Sequence, residues 1–157
     1  MIFEPRATDF SLVDIESALL RAAVGDYAAE AAVLLLATGG HWLPQLRTAG
    51  LIVVDLDRED DGAPTGEPPA LGWAAVAWAD LDGALRDGVV TGDGAQLRLL
   101  RAAASIADGQ PVDLGDLTAN LDRRSLTLLL AALAHAAGSH AGFGSLAGEP
   151  LVPWPTP

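Results

Sequence analysis

Acidic residues at alternate positions are the pattern in this chain that comes closest to chemistry. Asp57, Glu59 and Asp61, followed by Gly62, match the first half of a calcium-binding loop. Alternate side chains in such a loop converge on a hard cation, and glycine permits the tight turn between ligands. The second half departs from the pattern, because Pro68 stands where the closing bidentate acid should be and Glu67 comes one residue early. These residues lead to two expectations: a calcium or magnesium site built by Asp57, Glu59 and Asp61, or a solvated loop whose charges discourage edge pairing. A second arrangement uses Asp55, Asp57 and Asp80. Should strand register bring them together, paired carboxylates can hold magnesium or act as acid and base.

Histidine offers less. His41 follows Gly39-Gly40, His135 lies in an apolar stretch, and His140 comes five residues later, missing the spacing that puts two ligands on one helical face. A hydrolytic histidine needs a nucleophile and an orienting acid beside it. Nothing in the sequence places Ser105, Ser125 or Ser145 there, and Ser145 lacks the Gly-x-Ser-x-Gly elbow. The expectation is a partly buried, hydrogen-bonded His135, with His41 and His140 at the surface. Gly88, Gly92 and Gly94 precede a helix start, but neither the phosphate loop nor the dinucleotide fingerprint is present, so an ordinary cap is expected.

The elements that must position these residues follow from periodicity. Ser11 and Asp14 mark a helix start, and Leu12, Ile15, Leu19 and Ala23 recur at helical spacing. Asp26 caps a second helix to Ala37, whose Val33 to Leu36 run is apolar on every face and therefore central to the core. Gly39-Gly40 stops it. Leu51 to Asp57 is β-branched and reads as a strand, Arg58 to Pro69 as a loop, and Leu71 to Trp78 as the antiparallel partner strand. Asp80 begins a brief helix, and Thr91 or Asp93 a stronger one over 94–107. A short helix spans Asp113 to Ala119, and Asp122 caps a long one over Arg123 to Ala137. This last pair has helix-turn-helix spacing, with Arg123-Arg124 opening the second helix, yet that helix continues almost without a polar face and reads as a core helix.

Composition bounds the function class. The chain has 157 residues, no cysteine, and nine basic against 21 acidic residues, for a net charge of −12. Nucleic acid and anionic lipid would repel such a surface. No apolar run reaches the ~20 residues of a membrane span, and the N-terminus does not have the form of a signal peptide. No disulfide, thiolate or cysteine-based metal site is available, and a cytoplasmic setting is expected. Tryptophan is the remaining signal. Trp73 and Trp78 fall on opposite faces of a regular strand, and Trp154 sits in a proline-rich tail where its ring needs a groove. Buried aromatic anchors are typical of interfaces, so Trp73, Trp78 and Trp154 are interface candidates; otherwise the tryptophans complete one monomer's core.

The stretch Leu97 to Gly138, with Leu99-Leu100-Arg101-Ala102-Ala103-Ala104-Ser105-Ile106-Ala107-Asp108-Gly109 followed by Pro111-Val112-Asp113-Leu114, resembles small acidic proteins of GC-rich actinobacteria that have no assigned activity. The resemblance covers about a quarter of the chain and implies a bacterial, cytoplasmic setting without supplying site residues. The expected fold is α+β and mostly helical, with five or six helices packed on a small antiparallel hairpin at about 51–57 and 71–78. One globular domain is expected over 1–148, with a proline-rich tail over 149–157. The expected function is that of a non-enzymatic interaction or accessory protein that self-associates as a homodimer. The alternative is a metal-dependent carboxylate enzyme or cation-binding protein using 55–61.

Overall fold

The structure is a computed structural model that describes residues 4–56, 70–140 and 151–156. Its α-helices and strands run in the order α1 (Leu12–Ala22), α2 (Tyr27–Thr38), α3 (Trp42–Thr48), β1 (Ile52–Leu56), β2 (Leu71–Val76), α4 (Leu81–Arg86), α5 (Gly94–Asp108), α6 (Leu114–Thr118) and α7 (Arg123–Ala136). The fold is therefore α+β and mostly helical, as expected, with seven α-helices among the described residues instead of five or six. Single 3-10 turns stand at Ala7–Asp9 and Trp78–Asp80.

The chain contains two compact units, neither continuous in sequence. The first combines Met1–Ala22 with Leu43–Val90, and the second Ala23–Trp42 with Thr91–Pro157.

In the first unit, β1 and β2 form a two-stranded antiparallel ribbon in which Val53 faces Ala75 and Asp55 faces Trp73. Such a ribbon is marginal in water unless something covers it. Here α1 does so, packing against β2. Ile15, Ala18 and Leu19 of α1 are buried with Ile52, Leu71 and Ala74 of the strands. Across the ribbon, Val53 and Trp73 share the opposite face and stay about half exposed. The guanidinium of Arg21 donates to the carbonyls of Leu71 and Gly72 in β2. Trp78 does not continue the strand. Ala77 donates its amide to the Leu51 carbonyl, and the chain then turns into the 3-10 segment, so Trp78 leaves the ribbon before it can present a face.

The second unit is helical, with α2 packed against both α5 and α7. Each of these helices starts on an aspartate. Asp26 accepts from the amides of Ala28 and Ala29, Asp93 from Gln96, and Asp122 from Ser125. A capping carboxylate satisfies amides that the helix leaves unbonded. Gly109 ends α5 at φ +68°, a left-handed cap that glycine adopts without strain. Ala31, Ala32, Val33, Leu35 and Leu36 of α2 are all buried, so its all-round apolar run is central, as the sequence indicates. At Gly92 a Cβ would lie 2.7 Å from the ring of Trp42, so the close approach of this tryptophan requires glycine there.

Candidate functional site

Histidine chemistry gathers in the second unit on α2, α7 and the tail. His135 is buried on the inner face of α7, with 9% of its surface exposed. Its Nε2 lies 3.1 Å from Oε1 of Glu30 on α2, 105 residues earlier in sequence. Its Nδ1 lies 3.3 Å from the indole nitrogen of Trp154. Indole N–H is a donor only, so Nδ1 must be the acceptor, and the proton of the neutral ring sits on Nε2, donated to Glu30. Both ring nitrogens are thus satisfied, and only in the neutral form.

His140 stacks on His135, with ring centroids 3.8 Å apart and planes 14° from parallel, while Tyr27 meets His140 edge-on at 4.7 Å. The Nδ1 of His140 is buried and has no hydrogen-bond partner among the described residues. His135 is held below the usual histidine range, first by burial and then by the charge of His140, with Glu30 opposing both.

Glu30, His135 and His140 offer ligand atoms within 4.8 Å of one another, a donor set that a zinc-class ion accepts. The ring geometry does not fit such an ion. A metal bound by imidazole lies in the plane of that ring, about 2.0–2.1 Å from the nitrogen. Two stacked, nearly parallel rings share no such point near their nitrogens. A neutral histidine that binds metal through Nε2 also carries its proton on Nδ1, where Trp154 already donates. The cluster is arranged as a hydrogen-bonded relay from Glu30 through His135 to Trp154.

A second grouping lies at the other end of the same helices. His41, Asp122 and Ser125 line one cleft of about 210 Å³ with Trp42 and Leu128. Residue types alone suggest a catalytic triad, but the connections differ. The Ser125 hydroxyl donates to Asp122 at 2.8 Å, and Nε2 of His41 meets the Thr91 carbonyl at 2.9 Å. The serine is tied to the acid instead of the imidazole, so the order that activates a nucleophile is not formed. Hydrogen bonds from the Ser125 amide and then its hydroxyl hold the Asp122 carboxyl below its ordinary range, as a helix cap does.

The other sequence candidates separate. Asp57, Glu59 and Asp61 lie outside the described residues. Asp55 is exposed and accepts from the Leu56 amide. Its partner in the register is Trp73, whereas Asp80 follows the opposite end of the ribbon, where Ile52 faces Val76. At about 3.4 Å per residue, three pairs along a strand separate these acids by roughly 10 Å. The glycine segment before α5 leads into an ordinary cap, in which Asp93 accepts from the Gln96 amide and the Gln96 side chain accepts from the Asp93 amide. A cleft of about 430 Å³ beside α5 and α6 holds Arg98, which donates to the Asp116 carbonyl and lies 3.8 Å from the Asp116 carboxylate. Of the interface candidates, Trp73 is 47% exposed on the open ribbon face, Trp78 is half-buried in its 3-10 turn, and Trp154 packs against His135 of its own chain.

One feature is hidden in the sequence by uniform hydrophobicity. Along α7, Ser125, Leu128, Leu129, Ala131, Ala132 and His135 are buried, while Leu126, Leu130 and Leu133 are 39%, 44% and 48% exposed. With exposed Ala137 they follow the 4-3-4 spacing of a helix-pairing seam. The helix thus has two apolar faces, one of them turned to solvent. Compared with protein-family models, characterised proteins and solved structures, this chain matches none.

Proposed function

We propose that this chain is a small cytoplasmic accessory protein that acts through protein–protein contact, first of all with a second copy of itself. The observation that carries this reading is the outward stripe of Leu126, Leu130 and Leu133 on α7. Large apolar side chains repeated at 4-3 spacing give knobs that fit the holes of a like helix. Two copies related by a two-fold axis satisfy the same patch at once. Half-exposed Trp73 and Val53 on the open ribbon face provide a second apolar surface of the interaction type.

Magnitudes set the expected strength. A stable interface buries about 800 Å² per partner, more than three partly exposed leucines provide, so the stripe forms the centre of a contact that depends on concentration. The net charge of −12 opposes association at low salt and is screened beyond about 8 Å at physiological ionic strength. Light scattering at two protein concentrations, in physiological salt, tests the reading. The wild type is expected to approach twice the chain mass at the higher concentration, with Leu130→Glu monomeric at both. A wild type that is monomeric throughout, or a Leu130→Glu protein that dimerises like the wild type, would overturn it.

A further inference from the structure

The Glu30–His135–Trp154 relay has a consequence for the tail that is separate from the α7 stripe. Trp154 can only donate, and it reaches His135 at Nδ1. The other nitrogen, Nε2, already faces Glu30. A proton added to His135 therefore has one place to go, the nitrogen whose lone pair holds the tail. Protonated imidazole has two donors and no acceptor, so the Trp154 N–H would then point at another N–H.

We propose that His135 is an acid-sensitive latch: the C-terminal segment at Trp154 is docked while this histidine is neutral and is released when it takes up a proton.

The groups around the ring support release over accommodation. Glu30 of α2 favours the charged form, but it is already engaged at Nε2 and cannot replace the acceptor lost at Nδ1. His140, stacked at 3.8 Å, opposes a second positive charge beside it. Tyr27 of α2 approaches His135 edge-on at 6.4 Å. The third helix of this unit, α5, packs on α2 and α7 and carries Arg98, Arg101 and Asp108, while the influences on His135 are its burial, His140 and Glu30. Linkage gives the reciprocal statement: whatever docks the tail also resists protonation of the histidine. Burial and His140 already place this group below the usual histidine range. The tail at Trp154 is thus held at neutral pH and freed as the medium becomes acidic.

The test uses the full chain, labelled with ¹⁵N and titrated from pH 8 to pH 5. The Trp154 indole resonance is identified by its loss in Trp154→Phe. The expected result is that the Trp154 indole N–H moves with the same midpoint as the His135 ring protons and loses protection from exchange below it. Trp154→Phe keeps a ring but lacks the donor, so the His135 midpoint is expected to rise by about half to one pH unit, the size of one neutral hydrogen bond. His135→Asn keeps an acceptor near the Nδ1 position without a titrating group, and its Trp154 indole is expected to stay protected at pH 5. Should the Asn variant fail to fold, the wild-type titration and the Trp154→Phe shift still decide. An indole signal that stays protected at pH 5 in the wild type, separate midpoints for the two resonances, or a His135 midpoint unmoved by Trp154→Phe would each overturn the latch.

Discussion

Two helices of the second unit, α2 and α7, have nearly the same vocabulary of alanine and leucine and opposite relations to solvent. Both α5 and α7 pack on α2, and its only exposed large apolar residue is Tyr27 at its first turn. One face of α7 serves the core, while the other presents Leu126, Leu130 and Leu133 outward. The contrast shows that hydrophobicity sets how much surface a helix can bury, and that the number of neighbours sets how much it does bury. A leucine stripe left 39–48% exposed is the chemical basis for seeking a partner in another chain.

The same substitution in the two helices should separate them most widely. Leu36 of α2 is fully buried, so Leu36→Ala is expected to cost about 2–5 kcal/mol of unfolding free energy, from lost burial and the cavity it leaves. Next comes Gly92→Ala, where the new methyl would meet the buried ring of Trp42. Overpacking of that kind costs about 1–3 kcal/mol, measurable as a shifted urea midpoint with an unchanged slope. Removing the α2 cap by Asp26→Ala, which leaves two amides unbonded, is expected to cost about 1 kcal/mol.

Acid should act on the α7 side. The folded-state pKa of His135 lies below the ordinary histidine value of 6.5, so the unfolded chain takes up the proton first. Stability therefore falls as pH drops below about 6.5 and is regained as pH rises through it. Asp122 acts at lower pH. Its folded pKa lies below 3.8, so its contribution is present above that value and lost as pH falls through the folded pKa. Thermal melts from pH 8 to pH 3 would show both, and a melting temperature unchanged between pH 7.5 and 5.5 would contradict the His135 assignment. Smallest of all is Leu130→Ala, expected to change monomer stability by less than about 0.5 kcal/mol. A large loss there would place Leu130 in the core and remove the contrast between the helices.

How much of this was legible in the sequence depended on range. Asp26, Asp93 and Asp122 act as caps within three residues of themselves. Asp26 and Asp122 mark their helix starts where the pattern places them, and Asp93 is the cap of the two that the pattern offered there, Thr91 and Asp93. The strands were legible from β-branching, though Trp78 lies beyond the end of β2 because the pairing runs out at Ala77. The site was harder. His135 stood out as one polar residue on an apolar helix, which signalled a hydrogen-bonded partner but not which one. Glu30 is 105 residues away and Trp154 is 19, so only the tertiary packing brings the three together. The α7 stripe was concealed for the opposite reason. When nearly every position is apolar, period alone cannot distinguish the buried seam from the exposed one.

Arg21 has a practical consequence for handling this protein. By donating to the carbonyls of Leu71 and Gly72, it occupies acceptors that a newly arriving strand would use. A positive charge bonded to a strand in this way is a gatekeeper against fibre growth, since an incoming chain must first displace it. Concentrated stocks of Arg21→Ala should therefore nucleate thioflavin-positive aggregates sooner than the wild type. The shelf life of this apolar chain would then depend in part on one guanidinium.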